Sequence, residues 1–237
     1  MNTRFQWFSI VPFKQRELRA AVARLLREKF EDSRGIGVLV GEVRSGHITG
    51  QFIERTVLKE RVVDPFGKET FFEIPRYLST AFRLSSTYPQ LQIADPPRSL
   101  GTFTTFLGDC LENKVTIEPI PIKLDRLRGA MGRSAKRVVV LSTVASNISL
   151  SNTVAAEATI SGEEDVSAFV REFLGRRRYD FATARFQFEV EHEVFCSEVS
   201  GSGRVRLIAG EQAAFAVFMR KMLGEIQELK PMGSRQN

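Results

Sequence analysis

Between residues 181 and 196 the chain alternates with a period of two. Phe186, Phe188, Val190, His192 and Val194 fall on one side, and Gln187, Glu189, Glu191 and Glu193 on the other. Successive side chains on a strand point to opposite faces, so this pattern predicts one long strand with a dry face and a wet face. Antiparallel sheets accommodate such a strand; buried parallel sheets do not. Its flanks constrain the fold further. Residues 153–160 read as a strand, Ser161 and Glu164 have capping-box spacing, and Val166, Phe169, Val170, Phe173 and Leu174 form a helical stripe that stops at Gly175. After the segment, Ser200-Gly-Ser-Gly203 turns the chain into another strand. A final helix over residues 211–229 then carries Phe215, Phe218, Met219, Met222, Leu223 and Ile226 before Pro231.

The first third repeats this order without obvious sequence similarity. Residues 5–13 read as a strand ending near Pro12, and residues 14–30 as a helix with Leu18, Val22, Leu25, Leu26 and Phe30 on one face. Residues 35–43 form a strand, and the strands 48–63 and 70–75 flank the turn Asp64-Pro-Phe-Gly-Lys68. The middle is less regular: a loop over residues 85–99 with Pro89, Pro96 and Pro97, a short helix over 103–111, an edge strand over 115–123, and a buried strand over 136–144. The expected class is α+β, with antiparallel sheets and helices packed on one face. The order strand, helix, strand, strand, helix resembles ferredoxin-like and RNA-recognition-type domains. Two such halves would span residues 1–100 and 101–237, or one continuous domain would span both, with any boundary between residues 85 and 115.

Composition narrows the class without naming a function. With 237 residues, 43% hydrophobic and 26% charged, the chain is ordinary for a globular protein and unlike a disordered, collagenous or disulfide-built one. No segment reaches the ~18 uncharged apolar residues of a membrane span. The N-terminal MNTRFQWFSIVPF lacks the charged, apolar, small-residue order of a secretory leader. Cys110 and Cys196 stand far apart and outside any CxxC pair, which predicts reduced thiols. The expected compartment is the cytoplasm, or a nucleus if the source has one. Nineteen phenylalanines against three tyrosines and one tryptophan predict a core built for dry packing. The FQWF group belongs in that core; if exposed, it would anchor an interface.

The charge is concentrated. Lys123, Arg126, Arg128, Arg133, Lys136 and Arg137 face a single acid, Asp125, so fifteen residues hold +5 of the chain's +6. Gly129, Gly132 and Ser134 in the same stretch predict an exposed, flexible loop. Guanidinium and ammonium groups suit phosphate oxygens, and neutralising a polyanion releases counterions. A second cluster, Arg176, Arg177, Arg178 and Tyr179, sets an aromatic ring beside three cations, a combination that serves a single strand's backbone and one stacked base. Solvated charges, or arginines answering the helix dipole, would account for the same residues more plainly.

Motifs for catalysis are missing. Gly35, Gly37 and Gly41 give GxGxxxG after a helix, which fails the dinucleotide fingerprint in both spacing and context. No GxxxxGK[ST], GxSxG or HExxH occurs, and two histidines with two isolated cysteines predict no zinc site. Glu189, Glu191 and Glu193 would stand about 7 Å apart on one strand face, a row that could begin a divalent-metal site. Pairing with Arg204 and Arg206 on the next strand explains the row more simply. The sequence therefore predicts no cofactor and no metal. The expected protein is a non-catalytic subunit that binds nucleic acid, or another polyanion, through the two basic clusters. One alternative is a scaffold subunit gripping an acidic protein partner, and a third reading is a metal-dependent phosphodiesterase.

Overall fold

The computed structural model describes residues 2–228. Leu229 and Pro231, expected at the end of the last helix, lie outside them. The chain divides into two units. One holds the described residues up to Ser9 and those from Glu118 onward; the other is Ile10–Ile117.

The second unit is a meander. Strands β2 (Ile36–Arg44), β3 (His47–Val63), β4 (Glu69–Ser85) and β5 (Leu91–Ala94) pair antiparallel in chain order. Helices α1 (Gln15–Leu25) and α2 (Gly101–Cys110) complete it. Phe52 and Phe82 meet Phe103 of α2 with ring centroids 5.4 Å apart, and Leu18, Ala21 and Leu25 give α1 its buried stripe. Helix α1 ends five residues before the periodicity predicts, because another strand claims the backbone beyond it. The Phe30 amide donates to the Val38 carbonyl, and the Val38 amide donates to Glu28. A four-residue strand, β5, also replaces part of the loop expected over residues 85–99.

The turn between β3 and β4 forms at Asp64–Lys68, where the Asp64 carboxylate accepts the Phe66 and Lys68 amides, both at 2.9 Å. Each strand is 17 residues long, much longer than expected for β4. Past residue 56 the pair is a two-stranded ribbon with solvent on both faces. Val57, Leu58, Phe71, Phe72 and Ile74 are exposed along it, and Phe66 at its tip is 94% exposed. Ion pairs Lys59–Glu73 (3.2 Å) and Arg61–Glu69 (2.6 Å) bridge its strands. At its base, the Tyr77 hydroxyl donates to Asp32 (2.7 Å) while its ring stands edge-on to Phe30.

The first unit has the strand order β1-β11-β10-β9-β7-β8, with β6 (Thr116–Pro119) paired to β1 (Thr3–Val11). Its other strands are β7 (Lys136–Ser149), β8 (Ala155–Ser161), β9 (Asp180–Val190), β10 (Glu193–Ser200) and β11 (Arg204–Ala209). Helices α3 (Leu124–Ser134), α4 (Ser167–Leu174) and α5 (Gln212–Glu228) cover the face that carries Phe186 and Phe188. The core there is aromatic. Phe215 of α5 lies 5.7 Å from Phe5 and 5.9 Å from Phe195, and Phe218 stacks on Phe188 at 5.0 Å. Phe5, Trp7 and Phe8 are buried, so the N-terminal aromatic group is core and not an exposed anchor. On the opposite face Glu198 accepts from Arg206 (3.1 Å) and Arg185 (3.5 Å) on its two neighbouring strands. At Gly203, with φ of +88°, an added Cβ would overlap the Ile120 carbonyl, so only glycine fits this turn.

Three expectations need correction. The long strand over residues 181–196 is a hairpin: Glu191 and His192, with φ of +49° and +71°, make a two-residue turn between β9 and β10. His192 thereby leaves the apolar face, and its side chain is 89% exposed. The α4 helix starts at Ser167, not after Ser161, because Asp165 accepts the Ser167 amide (2.9 Å). Of its predicted stripe, Val166, Val170 and Leu174 are buried, while Phe169 and Phe173 stack on each other in solvent.

Candidate nucleic-acid interface

The concentrated basic stretch is a helix, not a flexible loop. Leu124, Leu127, Ala130 and Met131 recur at helical spacing and are buried against β7, β9 and α5, and that burial outweighs the low helix propensity of Gly129 and Gly132. Over the 11 residues of α3, about 16 Å of helix, the cations are sorted by position. Lys123, Asp125 and Arg126 stand at its start, Arg128 in its middle, and Arg133 in its last turn. Lys136 and Arg137 follow on β7, where Arg137 has φ of +47°.

Pairing divides the cations again. Arg128 donates to Asp165 (3.2 Å), Arg133 lies 3.5 Å from Glu225, and Lys136 is opposite Glu189 in the β7–β9 register. Lys123 and Arg126 form no ion pair within 4.0 Å among the described residues. Both are exposed. Asp165 is held below the usual carboxylate range: burial opposes this, but the Ser167 hydroxyl and amide and the Arg128 charge outweigh it.

The second cluster meets the first at a groove. A cavity of about 860 Å³ is lined by Lys123, the N-cap of α3, by Asp125 and Arg126 in its first turn, and by Tyr179, Asp180 and Phe181 at the entry to β9. A smaller one, about 230 Å³, lies between α3 and α4 over β7 and β9 and shares Leu124, Asp125, Tyr179 and Phe181 with the first. Its floor is apolar, with Val140, Ala184 and Phe186, and Arg128 and Arg171 stand at its polar rim. Tyr179 meets Phe181 edge-on at 5.1 Å. Tyr179 is the member of the second cluster that lines the groove. Arg177 donates instead to the Phe173 and Leu174 carbonyls at the end of α4, the dipole-answering placement, and Arg176 and Arg178 are exposed on the turn. The geometry thus gathers Lys123, Arg126, Arg128 and Tyr179, and leaves Arg133, Lys136 and Arg137 at the far end of α3.

Sequence reasoning passed over Arg171, Phe181 and the role of Asp125. Arg171 joins the groove only because α4 packs beside α3, and nothing local in the sequence signals that.

The remaining candidates for chemistry disperse. The β9–β10 turn breaks the glutamate row, and no cluster of three or more metal-ligating side chains occurs among the described residues. The partner of Arg206 is Glu198. Cys110 and Cys196 are free thiols, and burial pushes Cys110 up to about 11, away from the thiolate form a nucleophile requires. No helix among the described residues is long and apolar enough to cross a membrane. Comparison with known proteins finds no family model that matches the chain and no matching curated protein.

Proposed function

We propose that the protein binds nucleic acid as a non-catalytic subunit of a larger assembly, using the groove between α3 and the start of β9. The observation that carries this reading is the convergence of two unpaired cations, Lys123 and Arg126, on a cavity that also presents the Tyr179 and Phe181 rings. Cations track a phosphate backbone and aromatic rings accept bases, and a single strand offers both at once. A ferredoxin-like, RNA-recognition-type relationship between the two halves of the chain belongs to the same proposal. Its support is the recurring order of strand, helix, antiparallel strands and helix, from β1 to α2 and from β8 to α5. A cytoplasmic location completes the reading and rests on the two reduced thiols.

The test is binding of labelled single-stranded RNA, single-stranded DNA and duplex DNA across a salt series. Wild type is compared with Lys123→Glu/Arg126→Glu, and Arg133→Glu serves as the control. The reading expects the double variant to lose binding and the control to keep most of it. Equal loss in both variants, or no binding by wild type at about 100 mM salt, where non-specific binding is typically still ~10⁻⁴–10⁻⁶ M, would refute it.

A second reading concerns assembly and rests on the β3–β4 ribbon. One of its faces carries Leu58 opposite Ile74, and Phe72 opposite Glu60, with Val62 and Arg76 along the same side. A two-stranded ribbon with apolar side chains in water is marginal unless something covers it. One acid and one base on an apolar face make that face complementary to itself, so the partner proposed is a second copy of the chain. Sedimentation at tens of micromolar should show a dimer that Leu58→Lys/Phe72→Lys converts to monomer. A monomeric wild type would exclude this contact.

A further inference from the structure

The smaller cavity sharpens the proposed function and rests on it. We infer that it is a pocket for one unstacked nucleobase of a single strand, read by Asp125 through an exocyclic amine. At about 230 Å³ it falls below the ~300–1,000 Å³ of drug-sized sites and suits a single heterocycle. Its apolar floor of Val140, Ala184 and Phe186 offers a base no hydrogen bonds but complements its faces, and Tyr179 and Phe181 stand where it opens into the larger groove. Seating a base there requires unstacking it, which a single strand permits at low cost and a duplex does not.

Asp125 decides what enters, because the rim arginines already donate elsewhere, Arg128 to the Asp165 carboxylate and Arg171 to the Ser167 carbonyl. Among the described residues Asp125 is the one carboxylate lining the smaller cavity, and it stands among Lys123, Arg126 and Arg128. A carboxylate in a polyanion site repels phosphate, so the phosphates must run along Lys123 and Arg126 while Asp125 faces the base. A carboxylate accepts hydrogen bonds and donates none. It therefore favours bases that present an amine, as cytosine and adenine do, over uracil or thymine, whose corresponding edge is a carbonyl acceptor.

The experiment uses the full chain with labelled 12-mers of RNA and of DNA. These are runs of cytosine, runs of uracil or thymine, and wholly abasic 12-mers. Wild type should bind the cytosine run at least tenfold more tightly than the uracil or thymine run. The abasic strand, which has no base to seat, should bind at least about tenfold more weakly than the cytosine run, the scale of a lost stacking contact. Asp125→Asn, which presents an amide that both donates and accepts, should retain binding and erase the preference. Affinity that is equal for all three oligonucleotides yet lost in Lys123→Glu/Arg126→Glu would overturn the base pocket while leaving the groove intact. Failure of every oligonucleotide to bind would overturn both. Preference retained in Asp125→Asn would refute the role of the carboxylate.

Discussion

Removing the two unpaired cations of α3 has a consequence that can be worked from the structure. Lys123 occupies the N-cap position, where its side chain makes no capping hydrogen bond, and neither Lys123 nor Arg126 forms an ion pair within 4.0 Å among the described residues. The double variant Lys123→Ala/Arg126→Ala therefore deletes charge and leaves the fold intact. If each side chain neutralises one phosphate, the slope of log Kobs against log salt for a single strand falls by about 1.4. At 0.1 M salt the same two contacts account for roughly 25-fold in affinity relative to 1 M. Fluorescence anisotropy at five salt concentrations between 50 mM and 1 M measures both quantities. Arg133→Ala is the internal control: its partner is Glu225 at 3.5 Å at the other end of the helix, so its slope should match wild type. A control that loses as much slope as the double variant would show that the charges act as a diffuse field and that the groove has no special part.

Other perturbations test the scaffold that positions the groove. Phe215→Ala removes a fully buried ring that touches Phe5, Phe188 and Phe195, and should cost about 3–5 kcal/mol in urea denaturation. A cost below ~1 kcal/mol would mean that α5 does not close the core. Replacing Glu191-His192 with Asn-Gly relieves two positive-φ residues in the β9–β10 turn and should stabilise the protein by about 1 kcal/mol; a loss of stability would refute the turn. His47 is pushed below the ordinary histidine range by burial and by the Arg83 charge, against the pull of Glu42 at 3.5 Å. The folded state therefore resists protonation while the unfolded state accepts it. Stability should be full above about pH 6.5 and fall as the pH drops below that value, and His47→Gln should flatten this part of the curve. A wild-type curve that rises toward acid would reverse the assignment.

Where local pattern and tertiary contact agreed, the fold was legible in the sequence. The apolar periodicity of β1, β2 and α5 marked their cores, and Asp64-Pro-Phe-Gly-Lys68 marked the hairpin because an aspartate there accepts the amides of its own turn. Legibility failed where an element owes its form to something distant. Helix α3 hides behind two glycines and four charged side chains, and becomes a helix because Leu124, Leu127 and Met131 find α5, β7 and β9. The β9–β10 turn hides because Glu-His is a poor sequence for positive φ, so unbroken alternation concealed a reversal of direction. The error had chemical consequences, since it created a row of glutamates that the folded chain does not have. The groove shows both outcomes: its cations were visible as a charge excess, but the meeting of Lys123 and Arg126 with Tyr179 required the packing of α3 against the start of β9.

The most direct measurement of the central claim is where a bound strand touches the protein. A 12-mer carrying a photoreactive thiolated base is cross-linked to the full chain under long-wavelength light, and the adducts are mapped by peptide mass spectrometry. Adducts on the peptides that contain Tyr179–Phe181 and Lys123–Arg126 are the predicted result. Adducts confined to the β3–β4 ribbon or to Arg133–Arg137, under conditions where the strand is bound, would contradict it.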